Sequence, residues 1–223
     1  MCARFTHSPR HSHAVAVKQI LRYLNSTKDK GMMLKPTKNP VIDCYVDADF
    51  AGLWNIEDEQ NPLSVKSRTG FLITFMGCPL HWVSKLQSQI ALSTMEAEYI
   101  ALSQAMREII GFCETLKELY THVLEDTETY QSLTFNAISK TFGIIPPLTV
   151  HEDNASCLRF ATVPKMSPRT KHIAIPYHFF RSKAQNGEIQ IKGVSTDNQL
   201  ADQFTKGLPQ DKFLSDRYQL AGW

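Results

Sequence analysis

Apolar residues recur every three or four positions in some stretches of this chain and alternate with polar ones in others, and the contrast divides it into helices and strands. Val17, Ile20, Leu21 and Leu24 have helical spacing, which predicts an amphipathic helix within about 13–34, ended by the turn-prone Asn25-Ser26-Thr27. Residues 41–46 are β-branched and aromatic and predict a strand ending at Asp47, followed by a polar loop over 53–68. Residues 70–75 and 80–84 predict a hairpin turning at Met76-Gly77-Cys78-Pro79. Glu98, Leu102, Ala105, Ile109, Phe112 and Leu116 then set out the strongest helix, opened by a capping box of Ser93 and Glu96. A weakly patterned excursion over 121–148 leads into a strand at 148–152, and Asp153-Asn154 opens a helix carrying Leu158 and Phe160. Beyond a break at 164–168 come a basic helical segment to about Asn186, a turn at Asn186-Gly187 and a strand over 188–194. A second capping box, Thr196 with Gln199, predicts a last helix with Leu200, Phe204 and Leu208 on its buried side. This order gives an α/β layer with a mixed sheet.

A chain of 223 residues with 43% hydrophobic content builds one core, not two. Five widely spaced cysteines without paired spacing fit reduced thiols inside a cell. No apolar run has the length of a membrane span or of a signal peptide, so a non-secreted, cytoplasmic protein with no membrane partner is expected. The net charge of +2 announces no polyanion partner, but its distribution does: between Arg159 and Lys192 seven cations (Arg159, Lys165, Arg169, Lys171, Arg181, Lys183, Lys192) face one acid, Glu188. Such an excess suits phosphate contact, or simply a solvated basic face. Trp82 reads as core, and His172 and His178, six apart, as structural or phosphate-facing rather than a helical metal pair.

Four acids stand where strands end or helices begin: Asp47, Glu98, Asp153 and Asp202. Clustered carboxylate oxygens hold hard divalent cations, which activate water and neutralise a departing oxygen. Asp47 and Asp153 fall on strands expected to be neighbours near a topological switch. Asp49 competes with Asp47, and Glu96 with Glu98; Asp47 is preferred because it ends the predicted strand, and Glu98 because Glu96 has a capping task. Each acid also has a plain structural reading. Asp153 would cap a helix, Asp202 face solvent, Asp47 end a strand in a turn, and Glu98 pair with a lysine.

Several segments together resemble the ribonuclease H domain of copia-type retrotransposon Pol polyproteins. They are Tyr45-Val46-Asp47-Ala48-Asp49-Phe50-Ala51-Gly52, Ser67-Arg68-Thr69-Gly70-Phe71, Trp82-Val83-Ser84-Lys85, Leu92-Ser93-Thr94-Met95-Glu96-Ala97-Glu98-Tyr99, Glu152-Asp153-Asn154, Arg169-Thr170-Lys171-His172 and Gln199-Leu200-Ala201-Asp202. Ile20-Leu21-Arg22-Tyr23-Leu24 looks like the tail of the reverse transcriptase that precedes such domains. The resemblance implies a ribonuclease H-like domain at 41–223, with 121–148 as an insertion and 1–40 as a reverse transcriptase remnant of a longer polyprotein. It implies endonucleolytic cleavage of the RNA strand of RNA·DNA hybrids with two Mg2+ ions, for which Mn2+ substitutes, held by Asp47, Glu98, Asp153 and Asp202. The partners would be the hybrid and the reverse transcriptase of the same polyprotein, in a virus-like particle if the element is active. Lys85, Gln87, Ser93, Asn154, Arg169 and Lys171 would contact the hybrid, whose shape and 2′-hydroxyls select RNA.

Two departures bear on this. The segment Gly193-Val194-Ser195-Thr196-Asp197 lacks the mobile histidine that cellular members carry before the last helix, leaving the proton of the leaving group to water. Ala155 stands where copia-type sequences often have glutamine. Two other readings remain: a decayed domain that binds or tethers nucleic acid without cutting it, and an integrase-like strand transferase, against which the fourth acid speaks.

Overall fold

A computed structural model describes residues 2–38, 41–54, 63–125, 148–162 and 179–223. Five strands, β1 (Ile42–Asp49), β2 (Arg68–Phe75), β3 (Cys78–Leu86), β4 (Leu148–Glu152) and β5 (Ile189–Gly193), form one sheet in the order β3-β2-β1-β4-β5. The first three pair antiparallel, while β1, β4 and β5 run parallel. Around the sheet lie α1 (His11–Ser26), α2 (Thr94–Glu125), α3 (Ala155–Thr162), α4 (Arg181–Gln185), α5 (Asp202–Thr205) and α6 (Gln210–Ala221). This is the mixed five-stranded sheet with flanking helices expected of a ribonuclease H-like fold. Among the described residues no helix is long and apolar enough to cross a membrane.

Strand alternation builds the core. Ile42, Cys44, Val46 and Ala48 of β1 and Phe71 and Ile73 of β2 are buried with Ala97, Ile100, Ala101, Ala105 and Ile109 of α2. All five cysteines are free thiols, Cys44 and Cys157 within that core.

The β2–β3 connection is tighter than the sequence indicates. Met76 and Gly77 both take positive φ, 54° and 78°, the conformation a two-residue hairpin demands. Cys78 and Pro79 therefore join β3, and a register shift opposite Ile73 and Thr74 accommodates the proline on this edge strand. Trp82, expected in the core, is 48% exposed on the edge strand β3.

Two helix predictions need correction. No long helix starts at Thr196. Its hydroxyl donates to Asp153 at 2.9 Å, and the Gln199 amide, fully buried, donates to the Val46 carbonyl at 2.8 Å, so neither residue serves a capping box. A short 3-10 turn, Thr196–Asn198, and the four-residue α5 take the helix's place. Gly207-Leu208-Pro209 then ends α5 and leads into α6, a helix absent from the sequence reading. The helix predicted within 13–34 stops at Ser26, whose hydroxyl and that of Thr27 both donate to the Tyr23 carbonyl. α2 continues into the expected excursion as far as Glu125, through a run of good helix formers. The remainder of that excursion, most of the 53–68 loop, and the basic segment with Arg169, Lys171, His172 and His178 lie outside the described residues.

Candidate active site

Register brings the acids together. Tyr45 on β1 pairs with His151 on β4, so two residues further on Asp47 stands level with Asp153. Asp47 does not end its strand as expected; β1 continues to Asp49 because β2 pairs with it as far as Arg68. Glu98 enters from α2. The Ser93 hydroxyl accepts from the Glu96 amide at 3.2 Å and the Glu96 carboxylate accepts from the Leu92 amide at 2.9 Å, which fixes the first turn and aims Glu98 inward. Asp47, Glu98 and Asp153 each present an oxygen, and the three oxygens lie within 4.8 Å of one another. The two competitors stay outside this group. Asp49 folds back on Gly52, where any Cβ would collide with its carboxylate, and Glu96 is held at Leu92.

Asp202 stands beside this trio. It is 1% exposed at the head of α5, and Lys206 reaches across with its ammonium 2.7 Å from Asp202 Oδ1 and 3.8 Å from Asp47 Oδ2. Lys212 approaches Asp202 Oδ2 at 3.6 Å and Asp216 Oδ2 at 3.5 Å while donating to the Asp197 carbonyl at 3.0 Å. The Thr205 hydroxyl donates to Asp47 Oδ2.

Sequence reasoning missed one acid. Glu152 is fully buried at the end of β4, with Oε1 accepting from the Asn154 amide at 3.1 Å. Strand alternation carried the signal: with Val150 inward and His151 outward, Glu152 must point in. Its Oε2 and the Oε2 of Glu98 are buried without a hydrogen-bond partner in the protein.

Electrostatics follow the crowding. Burial above all, then Glu152, Asp47 and Asp153, pushes the Glu98 carboxyl up, against an opposing backbone bond from Ala48. Glu152 rises chiefly through burial, with the Asn154 amide opposing and Asp153 and Asp47 adding to the rise. Asp47 is pushed up to about 6, again mainly by burial, with Thr205 and Lys206 pulling the other way. Burial alone would lower Lys206, but the carboxylates of Asp202 and Asp47 outweigh it and the net shift is upward. A set of oxygen donors this dense, two of them unsatisfied, suits a hard divalent cation.

The predicted hybrid contacts fare unevenly. Gln87 is 1% exposed and donates to Thr69 Oγ1 at 3.1 Å and the Ala97 carbonyl at 2.8 Å, which leaves it no face for a nucleic acid. Asn154 caps α3, accepting from Ser156 and Cys157 at 3.0 and 2.9 Å, so that helix does not depend on Asp153. Ser93 caps α2, and Lys85 is exposed on β3. Within the basic segment Arg181 is buried, donates to the Phe160 carbonyl and lies over that ring, while Lys183 pairs with Glu188 at 3.0 Å. Arg159 and Lys192 are exposed.

No family model matches the chain. Over 211 residues, 95% of the chain, it is 34% identical to the retrovirus-related Pol polyprotein from transposon TNT 1-94 of Nicotiana tabacum and 32% identical to that from transposon RE1 of Arabidopsis thaliana. It spans only 14% and 12% of those two polyproteins. A solved ribonuclease H1 isolated from compost by a metagenomic approach aligns with a TM-score of 0.47 and 15% identity, covering 75% of this chain and 94% of that one.

Proposed function

We propose that this chain, similar over 95% of its length to the Pol polyproteins of plant transposons, is the ribonuclease H portion of a copia-type Pol polyprotein, an endonuclease for the RNA strand of RNA·DNA hybrids in reverse transcription. The observation that carries this reading is the convergence of Asp47, Glu98 and Asp153, from β1, the head of α2 and the end of β4, with oxygens within 4.8 Å. Asp202 completes the set beside Asp47.

These acids would hold Mg2+ or Mn2+, which when bound supplies an activated water and neutralises charge on the departing oxygen. The chain's own groups supply the rest. Rigid β1 and β4 fix Asp47 and Asp153, the capped first turn of α2 fixes Glu98, and Thr205 orients the Asp47 carboxylate. Lys85, Arg159 and Lys192 are exposed cations for the hybrid's phosphates, joined by Arg169 and Lys171. With no histidine in 193–197, protonation of the leaving oxygen falls to water. The boundary with the preceding reverse transcriptase, expected at residue 40, is moved to about residue 27 because the Met33 and Thr37 amides bond to the body; the polyprotein's reverse transcriptase is the partner and the interior of the cell the setting.

The test is cleavage of a labelled RNA·DNA hybrid with Mg2+ or Mn2+. The wild-type chain should cut the RNA strand and leave the DNA intact, and Asp47→Asn or Glu98→Gln should lower the rate by at least 100-fold. Cleavage by Asp47→Asn at the wild-type rate would refute the assignment. A second reading, a domain that binds hybrids without cutting, draws support from the lysine already paired with Asp202. Binding with no cleavage at any metal concentration would establish it instead.

A further inference from the structure

The acidic pocket is electrically lopsided. On one side Asp47 Oδ2 and Asp202 already have a cation, with the Lys206 ammonium 3.8 and 2.7 Å away and Lys212 behind Asp202 at 3.6 Å. On the other side Glu98, Glu152 and Asp153 have no lysine, arginine or histidine within salt-bridge distance among the described residues. Two of their buried oxygens lack any partner.

We propose that Lys206 is a tethered cation occupying the seat between Asp47 and Asp202, so that the free protein takes a single divalent ion, on the Asp47, Glu98 and Asp153 side, and a second ion must displace this side chain. The inference rests on the metal reading above and deepens it. Lys206 is built for this position. It sits four residues after Asp202, the spacing that lets a helical lysine fold back on a carboxylate, and the chain leaves α5 at this residue. Its side chain is 40% exposed, so it has a path by which to swing out. Lys212 cannot play the same part: it is 18% exposed and bonded to the carbonyls of Asp197 and Gln199. An ammonium neutralises one charge where a divalent ion neutralises two, so the pocket remains able to draw the second ion once an incoming phosphate adds its own negative charge.

The experiment is Mn2+ binding to the metal-free full chain without nucleic acid, followed by the paramagnetic resonance signal of free Mn2+, for wild type, Lys206→Gln and Lys206→Arg. Wild type and Lys206→Arg should bind one ion tightly. Lys206→Gln should bind a second at least tenfold more tightly than wild type does, and should show the larger Mn2+-induced rise in Tm. A Lys206→Gln chain that folds only when Mn2+ is present also supports the proposal, since the lysine's charge is then replaced by the ion's. Identical binding curves for wild type and Lys206→Gln overturn it. A wild-type chain that binds no Mn2+ at all instead overturns the metal reading of the whole pocket, and the inference with it.

Discussion

Glu152 shows how one residue couples charge to stability. Its carboxyl, and those of Glu98 and Asp47, have pKa values raised in the folded protein. Well below about pH 4 folded and unfolded chains both hold these protons and no penalty arises. As pH climbs, the unfolded chain releases them first, so it binds fewer protons than the native one and stability falls. For Asp47 the fall is complete near its folded value of about 6, and for the two glutamates it continues to higher pH. The metal-free protein should therefore lose Tm steadily from pH 5 to pH 8, and Mg2+ should restore it at the alkaline end. Glu152→Gln keeps the acceptor for Asn154 but removes the charge. It should recover more than about 1 kcal/mol at pH 8, roughly 2–4 °C or more of Tm for a chain of this length. Thermal melts across that pH range, with and without Mg2+, are the measurement, and a flat Tm profile shared by both proteins contradicts the account.

At the scale of elements, α5 matters most, since four residues cannot hold a helix alone. Three attachments position it: Gln199 on the Val46 carbonyl just before it, the Ser84 hydroxyl on the Phe204 carbonyl at 2.5 Å, and close packing on Gly70 of β2. A Cβ at Gly70 would come within 2.6 Å of Thr205 Cγ2, 3.0 Å of Phe204 Cβ and 3.1 Å of the Ala201 carbonyl. Gly70→Ala should thus lift α5 from the sheet, cost about 1–3 kcal/mol, and lower hybrid cleavage by withdrawing Thr205 and Asp202 from Asp47. If Gly70→Ala matches wild type in both Tm and cleavage rate, α5 is not seated by this contact. The same element explains what was legible beforehand. Asp47 is preferred for ending a strand that in fact runs on to Asp49, whereas Glu98 could be read from its helical period and the Ser93-Glu96 cap ahead of it, and Asp153 from the end of its strand. The region after Val194 could not, because distant partners claim its side chains: Thr196 belongs to Asp153 and Gln199 to Val46. Gln87 misled for the same reason, a polar residue in a polar run whose amide turns inward to Thr69 and Ala97.

For the molecule as a whole, the question is where the self-sufficient body begins. α1 buries none of its residues, and Val17, Ile20, Leu21 and Leu24 are all more than 40% exposed. Its ring contact with the body is the edge-on meeting of Tyr23 with Phe213 at 6.0 Å. The residues after it are tied more firmly. The Met33 amide donates to the Ala221 carbonyl at 3.0 Å, the Thr37 amide to the Met76 carbonyl at 2.8 Å, and Lys30 lies over the Trp223 ring. A boundary near residue 27 therefore suits the physics better than one at 40. Among the described residues, deleting 1–26 removes one ring contact with the body, worth about 1 kcal/mol, and should lower Tm by only about 2–4 °C with cleavage retained. Deleting 1–38 also breaks both backbone bonds and uncovers the carbonyls of Ala221 and Met76, at about 1 kcal/mol or more each, so Tm should fall by at least twice as much. Melting curves of the two truncated chains beside the full one decide the matter. Equal losses would mean that 27–38 adds nothing to the body, and a collapse on removing 1–26 alone would mean that α1 is part of it.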